Sequence, residues 1–358
     1  MSTSKNIFVI PVACILLASL ACSGVTISLY DTPVPPAPTR AIPSMPPPAA
    51  VKPLPATAVP EPTKPAQPIP GLEGYWQDGL KVFTIAWQDD KYEVTALEVV
   101  GETNPAILSQ SWDGSALTWT YKSRPEADPN TFTTHTVQGD KLAVQWTNEQ
   151  APAGAQVWLR RASGPSAVHE PLPFYDDFDD PASGWLVMDD EYGILKYENG
   201  AYSVRSIQKE ESNGSYAYHY FGDATIAADA VATFGPSDND YGFLVGCNIQ
   251  GQDDGYWFEV DMSGYYYMGV TTNGGDDYKS LFSGDDYRAT NAVHTARGAT
   301  NQFVVTCAHG QLQLEVNGKK LYQAADDTYA DGDIYLGAIS YGDLPAEFHF
   351  DHLSVTAP

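Results

Sequence analysis

Apolar and polar residues alternate with period two along most of the chain beyond residue 72. Phe83/Ile85/Trp87, Leu117/Trp119/Tyr121 and Leu142/Val144/Trp146 each set apolar side chains on one face, and the turn pairs Asp89-Asp90, Asp113-Gly114 and Gly139-Asp140 separate such runs. This predicts a meander of about six antiparallel strands over 72–162, curled into a small sheet or barrel. The period continues through Tyr241/Phe243/Val245/Cys247, Phe303/Val305/Cys307, Leu312/Leu314/Val316 and Ile334/Leu336/Ala338. Asn317-Gly318 ahead of Lys320-Leu321-Tyr322 marks a two-residue hairpin. Many short strands at near-regular spacing predict a β-sandwich over 163–358. No stretch carries a helical period, so the expected fold class is all-β.

Two N-terminal stretches break the pattern. Ile7 to Ala21 is a 15-residue apolar run, too short for the roughly 20 residues that span a bilayer, and it reads as a secretory signal at 1–21. Its end, Ala18-Ser19-Leu20-Ala21-Cys22, resembles the lipobox of bacterial lipoproteins, with Ser19 where that motif usually has Leu. The resemblance implies lipidation of Cys22 and an extracytoplasmic protein of the bacterial cell envelope that meets the membrane only through its N-terminal lipid. Fifteen of the 27 prolines fall between Asp31 and Pro70. Such a composition forms neither helix nor sheet ladder, so 22–71 is expected to be a lipidated N-terminus and spacer.

Charge separates the two predicted β-domains. The chain has 19 basic and 45 acidic residues, a net charge of -26. Residues 163–358 hold 8 basic and 31 acidic of these, whereas six of the eight tryptophans lie in 72–162. A domain boundary is therefore expected near Ser163-Gly164-Pro165. The acidity excludes nucleic acid, whose phosphates need cations. No Gly-x-Ser-x-Gly, His-Glu-x-x-His, phosphate-binding Gly loop or Cys-x-x-Cys occurs.

The larger segment carries a family resemblance. Phe174-Tyr175-Asp176-Asp177-Phe178-Asp179-Asp180-Pro181 with Ser183-Gly184-Trp185, then Tyr197-Glu198-Asn199-Gly200-Ala201-Tyr202, Tyr241-Gly242-Phe243, Val316-Asn317-Gly318 and Phe350-Asp351-His352-Leu353-Ser354-Val355 resemble the concanavalin A-like lectin/glucanase domains. Among these the similarity is greatest to laminin-G-like and 3-keto-disaccharide hydrolase-type domains. The resemblance implies a jelly-roll sandwich and a saccharide or glycoconjugate partner. It leaves open whether the protein binds glycans, hydrolyses them or serves as an architectural surface protein.

Three sets of residues carry specific expectations. Cys247 and Cys307 share the parity of inward residues, which predicts a disulfide in an exported protein. Tyr256 to Val270 reads as a hairpin turning at Met262-Ser263-Gly264, with Tyr256/Phe258/Val260 against Tyr266/Met268/Val270 on the apolar face. Its other face collects Trp257, Glu259, Asp261, Tyr265 and Tyr267, rings and carboxylates of the kind that hold a sugar if that face is exposed. Glu259-x-Asp261 also resembles the first half of the Glu-x-Asp-x-x-Glu catalytic strand of laminarinase- and lichenase-type glucanases. The last position of that motif is Gly264 here, which removes one carboxylate and makes Glu259 and Asp261 catalytic only under the alternative reading. The resemblance thus favours a non-catalytic binding module with no cofactor. Among the acidic loops, Asp177 and Asp351 are the pair to inspect for a structural calcium.

Overall fold

The computed structural model describes residues 67–358 apart from 101, 103, 126, 149–153, 252, 285 and 286. The expected signal segment, Cys22 and the spacer up to residue 66 lie outside the described residues. Every regular element among the described residues is a strand, and all pairings are antiparallel. No described helix is long and apolar enough to cross a membrane.

The first sheet has eight strands, two more than the alternation predicts, because Gly74–Asp78 and Ala106–Trp112 are too weakly alternating to read. It runs as a meander whose first strand, Gly74–Asp78, pairs with its last, Ala155–Ala162. The free edges, Lys91–Val99 and Ala106–Trp112, are joined by a side chain: Gln110 Oε1 accepts from Val94 N at 2.6 Å. Trp76, Phe83, Trp119, Tyr121 and Phe132 fill the interior, meeting mostly edge to face at 5.1–6.0 Å.

From Phe174 onward two sheets stack as a jelly-roll sandwich. One sheet runs from Gly193–Glu198 and Ala201–Ser206 to Ala346–Thr356 at its centre, while Tyr241–Gln250, Asp254–Asp261 and Tyr265–Thr272 are central in the other. Phe243 from the second sheet meets Phe303, Phe348 and Phe350 from the first, and Phe258 and Met268 lie in the same core, all fully buried. The Cys247–Cys307 disulfide crosses between them. Closing a 60-residue separation contributes roughly 4 kcal/mol by restricting the unfolded chain. The Asn317-Gly318 turn has both residues at positive φ, 51° and 76°, as a type I′ hairpin requires.

Barrel and sandwich meet at defined contacts. Gly79 N donates to Tyr218 O at 3.0 Å, and Gln156 bridges Val187. Beneath Tyr218, Lys81 pairs with the buried Asp78 at 3.0 Å. The same junction carries Asp333, whose carboxyl burial pushes up to about 8.

Candidate functional site

The hairpin register is the one the apolar pattern predicts: Tyr256 faces Val270, Phe258 faces Met268 and Val260 faces Tyr266. Gly264 sits at φ +89°, where a side chain would be strained. Trp257, Glu259, Asp261, Tyr265 and Tyr267 therefore share the outer face. The expectation that this face is exposed is corrected by the structure: only Tyr265, at 44%, is open, and the other four are 3–5% accessible.

The cover comes from this chain's own tyrosines. Trp257 packs edge on against Tyr335 at 5.1 Å, within a second apolar cluster of Leu244, Ile249 and Ile339, and its indole N–H donates to Thr271 Oγ1 at 2.8 Å. Tyr267 stacks on Tyr278 at 5.6 Å and tilts against Tyr287. Glycines make the overlay fit. A Cβ at Gly269 would strike the Tyr278 ring, and one at Gly214 or Gly337 would strike Tyr335.

Glu259 is closed in the same way. Tyr287 donates to its Oε2 at 2.6 Å and Tyr341 to its Oε1 at 2.7 Å. Burial pushes its carboxyl up to about 7 against those two hydroxyls. Asp261, raised to about 6 chiefly by burial, spends Oδ1 on Ser263 N at 2.5 Å, inside its own turn. Both carboxyls have the raised values a general acid needs, yet each is committed to a protein donor.

The two residues expected to mark a calcium site are likewise used locally. Asp177 Oδ1 accepts from Asp179 N at 3.3 Å. Asp351 Oδ1 accepts from His352 N at 2.6 Å, with its other oxygen 3.4 Å from the His352 ring.

An open concave feature lies elsewhere among the described residues, a groove of about 670 Å³ between barrel and sandwich. Lys141 and Arg160 reach it from two barrel strands, and Glu170, Tyr175, Asp177, Asp180 and His219 from the sandwich side. Phe174 turns toward the His219 ring, 4.3 Å between centroids, so alternation turns Tyr175 outward at 68% exposure. Asp176 points in, accepting from the Trp185 indole at 2.9 Å and from Phe178 N at 2.8 Å.

His219 forms the floor and is fixed on both sides. Arg160 meets its Nε2 at very short range. Its Nδ1 lies 3.0 Å from Glu170 Oε2, off the line of a full hydrogen bond, and Arg160 also donates to that carboxylate at 2.6 Å. Burial, with the Arg160 charge adding to it, lowers the imidazole to about 4 despite Glu170. With Nε2 accepting from the guanidinium, the neutral ring carries its proton on Nδ1 beside Glu170, and this trio shapes the groove floor. Glu170 is itself held below its ordinary value, because His219 and Arg160 outweigh its burial.

Sequence reasoning missed this groove. Tyr175 sits in the family-like stretch Phe174 to Pro181, and its parity opposite Phe174 was the available signal. Nothing in the sequence brings Arg160, on the last barrel strand, to Glu170 and His219.

No protein-family model matches the sequence, nor does any curated protein. Among solved structures, a sialidase is similar at 12% identity and a TM-score of 0.43 over 80% of this chain. That match covers 32% of the sialidase, so this chain spans about a third of its length. A Bacillus licheniformis beta-glucanase is similar at 14% identity and 0.37, over 52% of this chain and 98% of that one. The carbohydrate-binding module CBM66 from Bacillus subtilis gives 14% and 0.31, over 51% and 95%. These likenesses concern the all-β fold alone.

Proposed function

We propose that this protein is a lipid-anchored, extracytoplasmic binding module that takes a saccharide or glycoconjugate without transforming it, in the groove between barrel and sandwich. The observation that carries this reading is Tyr175: an aromatic ring 68% exposed at the rim of an open groove lined by paired carboxylates and cations. A ring presents an apolar face to sugar C–H groups. Asp177, Asp180 and Lys141 offer the acceptors and donors that vicinal hydroxyls need. Anchoring through Cys22 and a proline-rich spacer at 22–71 would hold the groove clear of the envelope.

The test is the full-length protein on a glycan array, with and without calcium, beside Tyr175→Ala. Losing an exposed stacking ring should weaken binding about tenfold, roughly 1.4 kcal/mol, with the thermal melt unchanged. Equal binding by Tyr175→Ala would remove the groove from the account. Anchoring has its own readout: a metabolic lipid label should tag the wild type and not Cys22→Ala, and release of untagged wild type would refute it.

A hydrolase centred on Glu259 and Asp261 is the second reading, favoured by their raised carboxyls. It is opposed by the two tyrosine hydroxyls that close Glu259.

A further inference from the structure

On the outer face of the first sandwich sheet, three side chains that do not line the groove converge: Glu198, Glu347 and His349, with one ligand atom from each lying within 4.8 Å of the others. The pairing explains why. Ser203 lies directly across from His349 and Arg205 across from Glu347, while Glu198 closes the neighbouring strand Gly193–Glu198. Outward parity then brings all three to one patch.

His349 Nε2 is 3.4 Å from Glu198 Oε1 and 3.5 Å from Glu347 Oε1. Both separations exceed an ordinary N–H···O bond, and the buried nitrogen has no hydrogen-bond partner. They do match the edge of a coordination tetrahedron, about 3.3–3.5 Å for metal–ligand bonds of about 2.0–2.1 Å.

The surroundings orient the carboxylates. Lys196 holds Glu198 by Oε2 at 2.9 Å, and Arg205 lies 3.8 Å from Glu347 Oε2. Each cation thus takes the oxygen that faces away from the imidazole. Thr233 donates to Glu347 Oε1 at 2.6 Å, the kind of outer hydrogen bond that fixes a ligating carboxylate. A further independent sign lies beneath. Ser203, directly across from His349 in the strand pairing, is fully buried, and its Oγ closes no hydrogen bond.

We infer that Glu198, Glu347 and His349 form a three-ligand site for a borderline divalent cation of the zinc class, with its fourth position turned to solvent. One imidazole and two carboxylates suit zinc over calcium, which takes six to eight oxygens.

The experiment is calorimetric titration of the full-length protein with zinc chloride, alongside His349→Ala and Glu198→Gln. Wild type should bind one zinc more tightly than the weak sites of its acidic surface. Each variant should lose that affinity at least tenfold, and calcium should not fill the site. Absence of a one-to-one step in wild type, or a step that survives in both variants, would leave only an ion pair and overturn the site. Should His349→Ala not fold, by its metal-free melt, Glu198→Gln decides alone, because Glu198 is part-exposed on the sheet surface.

Discussion

Trp257→Ala should lower the melting temperature of the sandwich by roughly 10 °C. Trp257 is 4% exposed, packed on Tyr335 and bonded to Thr271, and truncating such a ring costs about 3–5 kcal/mol. In a unit of this size each kcal/mol is worth roughly 2–4 °C. Tyr265→Ala, on the same face just past the turn but 44% exposed, should stay within about 0.5 kcal/mol of wild type. Thermal melts of the pair settle which face of the hairpin meets water. Equal, small shifts would mean that Trp257 is open and that the hairpin is available to a ligand.

Stability should rise by several kcal/mol as pH falls from about 8.5 to about 5. Asp333, Glu259 and Asp261 are each 5% exposed and burial raises their carboxyls to about 8, 7 and 6. An acid raised in the folded state binds its proton more tightly there than in the unfolded chain. Its contribution is complete below the unfolded value near 4 and is lost as pH rises through the folded one, at about 1.4 kcal/mol for each tenfold difference in proton affinity. His219 acts in the opposite sense. Its imidazole is lowered to about 4, so its contribution is present above about 6.5 and is lost as pH falls through 4. His219 offsets only one of the three carboxyls over that span, so the melting temperature should still climb as pH falls to about 5. Melts across that range test this, and Asp333→Asn should flatten the upper limb. A melting temperature that is level or climbs from pH 5 to 8.5 would contradict the assignment.

Much of the architecture was legible because period two reports parity. Parity placed Cys247 and Cys307 in one core, paired Phe258 with Met268, and put Asn317-Gly318 at a turn. It could not report what lies over the other face. The tyrosines that cover Trp257, Glu259 and Tyr267 come from residues 278, 287, 335 and 341, up to 82 positions away, and no local pattern specifies such an approach. The readable hint was glycine inside strands. Gly269 and Gly337 sit where a side chain would strike a ring. The groove was hidden for a related reason, since it depends on Arg160 of the barrel meeting Glu170 and His219 across a junction that alternation within either part does not describe. The zinc-class site shows the same limit: along its own strand His349 neighbours Asp351 and His352, whereas the convergent partner Glu198 comes from another.

A glycan seated in the groove, and not on the hairpin, should leave its footprint there. Hydrogen–deuterium exchange of the full-length protein, with and without the tightest-binding array glycan, locates that footprint directly. Protection is expected at Phe174–Asp180 and His352–Ser354, with exchange over Trp257–Tyr267 unchanged. Protection confined to Trp257–Tyr267, or no glycan bound from a broad array, would contradict it.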